Sequence, residues 1–462
     1  KIVHSRFLDD TLDLIDRIWK KMNSLDWLTF HSKNRVYYFD MLMVEAWRVR
    51  AGLMAILESL IINSFIAGIL SMAIIYISMP LFLLCISGFL VMGVGYYISS
   101  VSTRPYIKKF HHAWRNQHQW VSKCVDQFDL IKMGRGLEQS ADANLEHSAS
   151  FLDVNTQLLK EQSKWRNVNQ LLSSIVRILV FVVGVYWVRS GFVNLEDLFL
   201  VLLIVTLVQG YVMLIPTGLN SLVEAQESLI TLRDFFSMRD EESAVLNSVD
   251  EITPVSNVTI TGLKFGYENK AVLNDLEITL QTGKIYLWRG KNGSGKSTAA
   301  HILIGLIEPQ EGTLCINGKM QRWDVLRSLR HRFGFLNQDS PIFMGTIKEN
   351  ALFGHPKPAI AWGFLNASWL LRLLPKGHQP DRLLGERGEG LSGGEGKRVA
   401  LIRELLRSSD ILIMDEPLNH LDELAIEEIK NEIVKIKETT IIIIIISHQT
   451  GFESIADEIK EF

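Results

Sequence analysis

From Ser59 to Thr103 the chain carries no charged residue, a run of about 45 residues and roughly twice what one bilayer crossing requires. Pro80 lies near the middle of this run, and reading it as a tight turn predicts two spans, 61–79 and 81–97, joined by almost no loop. A soluble core helix can be this apolar, but not over this length, so the run reads as membrane-spanning. Two further spans are expected at 169–188, which includes Arg177, and at 198–223, which includes Gly210 and Pro216 as candidate kink sites. An intramembrane arginine is tolerable where it faces the helix bundle or its long side chain reaches toward the interface.

Composition agrees with this split. Apolar residues make up 47% of the 462-residue chain and crowd into its first half, whereas charged residues dominate after about residue 225. The net charge of −3 gives no basic excess of the kind that nucleic acid binding needs, and no nucleic acid partner is expected. Cys85, Cys124 and Cys315 have neither metal-ligand nor redox spacing. Arg104, Lys108, Lys109 and Arg115 follow the second span directly, and positive charge at a membrane edge places the polar stretch 104–166 on the cytoplasmic side. Four crossings then put both ends of the chain on that side. The chain opens on Lys1 with no signal-peptide pattern, and the expectation is that its start is missing.

Beyond about residue 256, short β-branched strands alternate with helical stretches and glycine turns, as in a parallel α/β domain. The domain reading is therefore 1–235 membrane part, 236–255 linker and 256–462 soluble part. Within the soluble part, Gly290-Lys291-Asn292-Gly293-Ser294-Gly295-Lys296-Ser297-Thr298 follows the apolar strand 285–288 and precedes a helical run. This is a P-loop in the context it requires. Glycines let backbone N–H groups wrap a polyphosphate, Lys296 reaches the terminal phosphates, and Ser297 can ligate Mg²⁺. A second apolar strand, 411–414, ends in Asp415, placed to hold the Mg²⁺ shell, and Glu416, placed to polarise an attacking water.

Between these motifs lies Leu391-Ser392-Gly393-Gly394-Glu395, and here the sequence resembles the ATP-binding cassette (ABC) family, across roughly residues 257–449. The resemblance implies that Ser392, Gly393 and Gly394 press on the γ-phosphate held by a second cassette, so that two chains enclose two ATP molecules. Glu395 departs from the glutamine usual at that position. The resemblance further matches Tyr267 to the residue that stacks on adenine, Gln338 to the glutamine that touches Mg²⁺, Leu421-Asp422 to the segment that crosses the cassette interface, and His448 to the histidine at the γ-phosphate.

Pro341 to Asn350 and Gly385 to Gly388 resemble the exporter branch of the family, in which each half has six spans; the four expected here correspond to the third to sixth. On that comparison 25–40 and 128–136 are the two coupling segments. Pro417-Leu418-Asn419-His420-Leu421-Asp422 is closer to soluble, translation-type cassettes. The expected function is ATP-driven export by alternating access, with ATP and Mg²⁺ as cofactors and a second half-transporter, identical or different, as partner. Membrane lipid and the exported molecule are the other partners, and the expected location is a bacterial inner membrane with the ATPase part cytoplasmic. A peptide is the first cargo reading, a lipid or hydrophobic drug the second, and a non-transporting ATPase is the alternative from another class.

Overall fold

The computed structural model describes residues 2–127, 132, 136–241, 254–268, 270–339, 341–367, 374, 379–407, 409–417, 423–437, 441–448 and 451–462. Two compact units emerge: Lys1–Leu25 with Thr29–Asp240, and Asp26–Leu28 with Glu241–Phe462. Expected features at 419–422 and most of 128–136 lie outside the described residues.

Helices build the first unit: α1 (Ile2–Ser24), α2 (Trp27–His31, whose first two residues belong to the second unit), α3 (Arg35–Asp40), α4 (Ala46–Ala55), α5 (Asn63–Ile77), α6 (Met79–Asp126), α7 (Gly136–Arg189), α8 (Leu195–Val212) and α9 (Ile215–Phe236). π-helical turns at Met41–Glu45 and Ile56–Ile62 join α3, α4 and α5 into one rod. Four helical stretches among the described residues are long and apolar enough to cross a membrane: Arg35–Ile77, Met79–Asp126, Ser140–Arg189 and Leu195–Phe236. The break expected at Pro80 falls at Ser78, whose extended backbone ends α5, and Pro80 sits in the first turn of α6, where its missing N–H costs nothing. Pro216 acts in the same way. It occupies the first turn of α9 after a break at Met213–Leu214, so the expected stretch 198–223 is two helices.

Ile74, Leu81, Cys85, Met92, Val176, Val180, Leu198, Val201 and Val205 form the buried seam of these helices. A Cβ on Gly88 would meet Val176 Cγ1 at 2.5 Å, so only glycine permits α6 and α7 to approach this closely there. On the outer faces, Phe65, Met72, Tyr76 and Leu90 are each at least 67% exposed. In water such a surface would be an aggregation hazard, whereas a bilayer solvates it. Arg177 turns inward along a polar patch. Its guanidinium donates to Gln209 Oε1 (2.8 Å), Ser173 Oγ (3.3 Å) and Ser174 Oγ (3.0 Å), and Gln209 is itself buried and accepts from Ser173 Oγ at 2.8 Å.

The second unit departs from the purely parallel expectation. Strands β3 (Ile285–Arg289), β6 (Phe333–Leu336), β9 (Ile411–Asp415), β10 (Ile442–Ile446) and β11 (Glu458–Glu461) make a parallel sheet in the order β11-β3-β10-β9-β6. A separate antiparallel sheet, in the order β2-β1-β4-β5, is built from β1 (Asn257–Tyr267), β2 (Lys270–Gln281), β4 (Glu311–Ile316) and β5 (Lys319–Gln321). β1 and β2 alternate buried and exposed positions over much of their length, as half-solvated antiparallel strands do. By contrast, all five isoleucines of β10 are buried, because this strand runs between β3 and β9 with both faces covered. Burying each such side chain contributes about 1.5–3 kcal/mol. Helices α10 (Lys296–Leu303), α11 (Val325–Leu329), α12 (Ile347–Leu352), α13 (Pro358–Ala367), α14 (Gly393–Leu406) and α15 (Glu423–Lys437) complete the unit. A short pair, β7 (Gly345–Thr346) and β8 (Leu383–Leu384), stands apart from both sheets.

Candidate nucleotide site

Three neighbouring parallel strands end at the same edge of the sheet. β10 pairs with β3 through Ile446 and Trp288 and with β9 through Ile446 and Asp415, so Gly290, Glu416 and His448 all emerge there. Ligands of open α/β sheets bind outside the carboxyl ends of such strands.

Leaving β3, the chain turns through Gly290, Gly293 and Gly295, all with positive φ. Gly295, at φ 100°, caps α10, and a Cβ there would lie 2.5 Å from Leu273 Cδ2, so both conformation and space demand glycine. The loop leads into the amino terminus of α10, where unpaired N–H groups and the helix dipole favour an anion. Lys296 is buried, and its Nζ donates to Gly290 O (2.8 Å), Lys291 O (3.0 Å) and Ser294 Oγ (3.3 Å). Asn292 and Gly293 are exposed on the loop, Ser297 is exposed in the first turn of α10, and Thr298 beside it is buried.

Ser297 Oγ donates to Asp415 Oδ2 at 2.9 Å, which joins the P-loop helix to the end of β9. Burial pushes the Asp415 carboxyl above its ordinary range, with the Ser297 hydrogen bond opposing. Two adjacent oxygen donors of this kind suit Mg²⁺, which takes hard oxygen ligands and completes its shell with water and phosphate. Glu416 follows in the left-handed region (φ 49°), rare for a residue with a Cβ. Its Oε1 accepts from His448 N (3.1 Å) and lies 2.5 Å from His448 Nδ1, while its Oε2 lies 3.4 Å from Ser447 Oγ. Tyr267, at the end of β1, is part-exposed, and its hydroxyl lies 3.5 Å from Thr298 Oγ1.

The fold thus brings Lys296, Ser297, Thr298, Asp415, Glu416, His448 and Tyr267 into one region. Gln338, just beyond β6, is exposed, and among the described residues no hydrogen bond joins its side chain to Ser297 or Asp415. Ser392, Gly393 and Gly394 open α14 and are not hydrogen-bonded to the P-loop among the described residues. Glu395 has a structural use here. Its Oε2 accepts from Ser392 N (2.8 Å) and its N–H donates to Ser392 Oγ (3.3 Å), a reciprocal capping box. Lys397, a turn further on, is buried and donates to Glu416 O at 2.6 Å. Sequence reasoning assigned it no role, since nothing in the local pattern points from α14 to β9.

Residues 273–419 match the family model described as ABC transporter. The second unit carries an ABC transporter ATP-binding domain. The chain is similar to the Beta-(1-->2)glucan export ATP-binding/permease protein NdvA of Brucella suis, 26% identical over 359 residues, covering 73% of this chain and 57% of the relative. The heterocyst differentiation ATP-binding protein HepA of Nostoc sp. is 31% identical over 209 residues, covering 44% of this chain and 34% of the relative. The chain spans just over half the length of the NdvA relative. Among solved structures, a bacterial Atm1-family ABC exporter with ATP bound shares the fold at a TM-score of 0.82 and 21% identity, covering 100% of this chain and 82% of the other. The fold is therefore that of an ABC exporter: four apolar helices and an α/β nucleotide-binding domain.

Proposed function

We propose that this chain belongs to an exporter half that hydrolyses ATP to move a molecule across a membrane, paired with a second half-transporter. The carrying observation is one chain that joins four membrane-length apolar helices to a P-loop whose Ser297 bonds Asp415 and whose neighbour Glu416 is held by His448. A non-transporting ATPase has no need of the first feature.

In this reading Tyr267 stacks on adenine, and Gly290 and Asn292 to Thr298 hold the phosphates. Lys296, already surrounded by carbonyl oxygens, exchanges them for phosphate oxygens of higher charge density. Ser297, Asp415 and Gln338 would hold Mg²⁺, which when bound supplies charge neutralisation at the β- and γ-phosphates. Glu416 orients and accepts a proton from the attacking water, and His448 fixes the carboxylate while facing the γ-phosphate. Ser392, Gly393 and Gly394 of the second chain's cassette close the site, so turnover requires the pair. In-line attack demands positioning and charge stabilisation above all, and a dry, two-sided site provides both.

Closure of the cassettes on ATP drives the helices between inward- and outward-facing states, and hydrolysis resets them. The ATPase part is assigned to the cytoplasm of a bacterial cell, on the side of Arg104, Lys108, Lys109 and Arg115. For the cargo, a peptide remains the first reading from the sequence, with a lipid or hydrophobic drug behind it; the glucan in the name of the Brucella relative supports a saccharide as the competing one. Reconstitution of the full chain in lipid, followed by ATP hydrolysis and uptake of labelled peptide, lipid or β-glucan into inverted vesicles, tests both levels. Absence of ATP hydrolysis under all conditions would overturn the reading.

A further inference from the structure

Lys397 is 7% exposed, in the first half of α14, the helix that Ser392 caps. Burying an ammonium is costly unless it is paired, and a backbone carbonyl could have been satisfied by a neutral donor. Here the ammonium meets Glu416 O at 2.6 Å, while the carboxylates of Glu416, Asp415 and Asp339 are close enough to oppose the effect of burial on its charge. The residue it grips is the one in the least favourable backbone conformation of the site, Glu416 at φ 49°. On its other side the Glu416 peptide is anchored by its own N–H to Ile446 O at 2.9 Å. The main chain of Glu416 is therefore clamped at both ends, by β10 and by α14.

We propose that Lys397 is a positioning residue for hydrolysis: by clamping the Glu416 carbonyl it holds the left-handed turn that aims the Glu416 carboxylate. This rests on the reading of Glu416 as the hydrolytic carboxylate. It also ties the aim of that carboxylate to the helix that begins at Ser392, so a displacement of α14 is felt at Glu416 without passing through nucleotide.

The test uses the full chain in lipid nanodiscs, with ATP hydrolysis and nucleotide binding measured for the wild type, Lys397→Met, Lys397→Arg and Glu416→Gln. Lys397→Met is expected to lower kcat by about 10²-fold, the scale of a misplaced catalytic group, with KM and nucleotide affinity essentially unchanged. Lys397→Arg, which keeps a charged donor, is expected to restore most of the loss. Added to Glu416→Gln, Lys397→Met should produce no further decrease, because it acts through Glu416. Where Lys397→Met does not fold, Lys397→Ala, which leaves no donor at the Glu416 carbonyl, should show the same fall in kcat with nucleotide binding intact. Wild-type turnover in a folded Lys397→Met or Lys397→Ala variant, a loss seen only in KM, or an additive loss on Glu416→Gln overturns the inference alone. Absence of Glu416-dependent hydrolysis in the wild type overturns the underlying reading and this inference with it.

Discussion

His448 holds Glu416 twice: its backbone N–H donates to Glu416 Oε1 at 3.1 Å and its Nδ1 lies 2.5 Å from the same oxygen. The carboxylate of the β9 terminus is thus fixed by the residue that leaves β10, one strand away. Glu416→Gln keeps an acceptor for the backbone N–H but removes the base. ATP hydrolysis should fall by about 10²–10⁴-fold, the usual contribution of a positioned base, while ATP binding persists. Phosphate release and equilibrium nucleotide binding on the same preparation check this.

Glu395 stands next to residues proposed to meet the second chain's γ-phosphate, and its carboxylate opposes that anion. Glu395→Gln preserves the capping box, which accepts either residue at this position. Stability should change by less than about 0.5 kcal/mol and KM for ATP should fall by roughly two- to five-fold, the scale of one charge at a helix terminus. Glu395→Ala, which removes the cap, should cost about 1 kcal/mol. Thermal melts alongside ATP titrations separate the two effects.

Arg177 and Gln209 form the polar clamp between α7 and α8. Gln209→Leu leaves the Arg177 guanidinium with only the Ser173 and Ser174 hydroxyls and should destabilise the chain by about 1.5–3 kcal/mol, the value of a hydrogen bond to a charged group. The double variant Arg177→Met/Gln209→Leu replaces both partners by apolar groups and should recover most of this loss. Thermal unfolding in detergent of the two single variants and the double tests the coupling.

Glu404 is buried, and burial raises its carboxyl above the ordinary range, against the opposing pull of Arg407 and the Phe335 N–H, which donates to Glu404 Oε2 at 3.2 Å. A raised folded-state value means the native chain holds this proton more tightly than the unfolded chain does. Its contribution to stability is therefore largest below the unfolded value and declines as pH rises through the folded one. Glu404→Gln keeps an acceptor for Phe335 N–H without the titration. The melting temperature of the wild type relative to Glu404→Gln should fall as pH rises above the ordinary glutamate value of about 4.3; a constant difference would refute the assignment.

Several features were legible in the sequence because they are local. A P-loop is nine consecutive residues whose glycines are required one by one, and the strands at 285–289, 411–415 and 442–446 announce themselves as short, continuous apolar runs. Pro80 and Pro216 were legible as interruptions, but their effect was not, because a proline in a first turn starts a helix whereas one in the middle kinks it. The antiparallel sheet was missed because its strands pair through hairpins and returns that a general α/β alternation does not reveal. Glu395 was readable as a departure from the family, and its part in the capping box with Ser392 depends on where α14 begins in the fold.

By itself the sequence determined that this chain has a stretch too apolar and too long for water and a loop that can wrap phosphate. Both follow from the chemistry of adjacent residues. Only the tertiary structure decided that Ser297 meets Asp415 across 118 residues of chain, that Lys397 reaches the carbonyl of Glu416, and that Arg177 finds Gln209. Those contacts depend on the order of strands in a sheet and the register of helices in a bundle. Both are settled by how entire apolar faces pack, which no short segment contains.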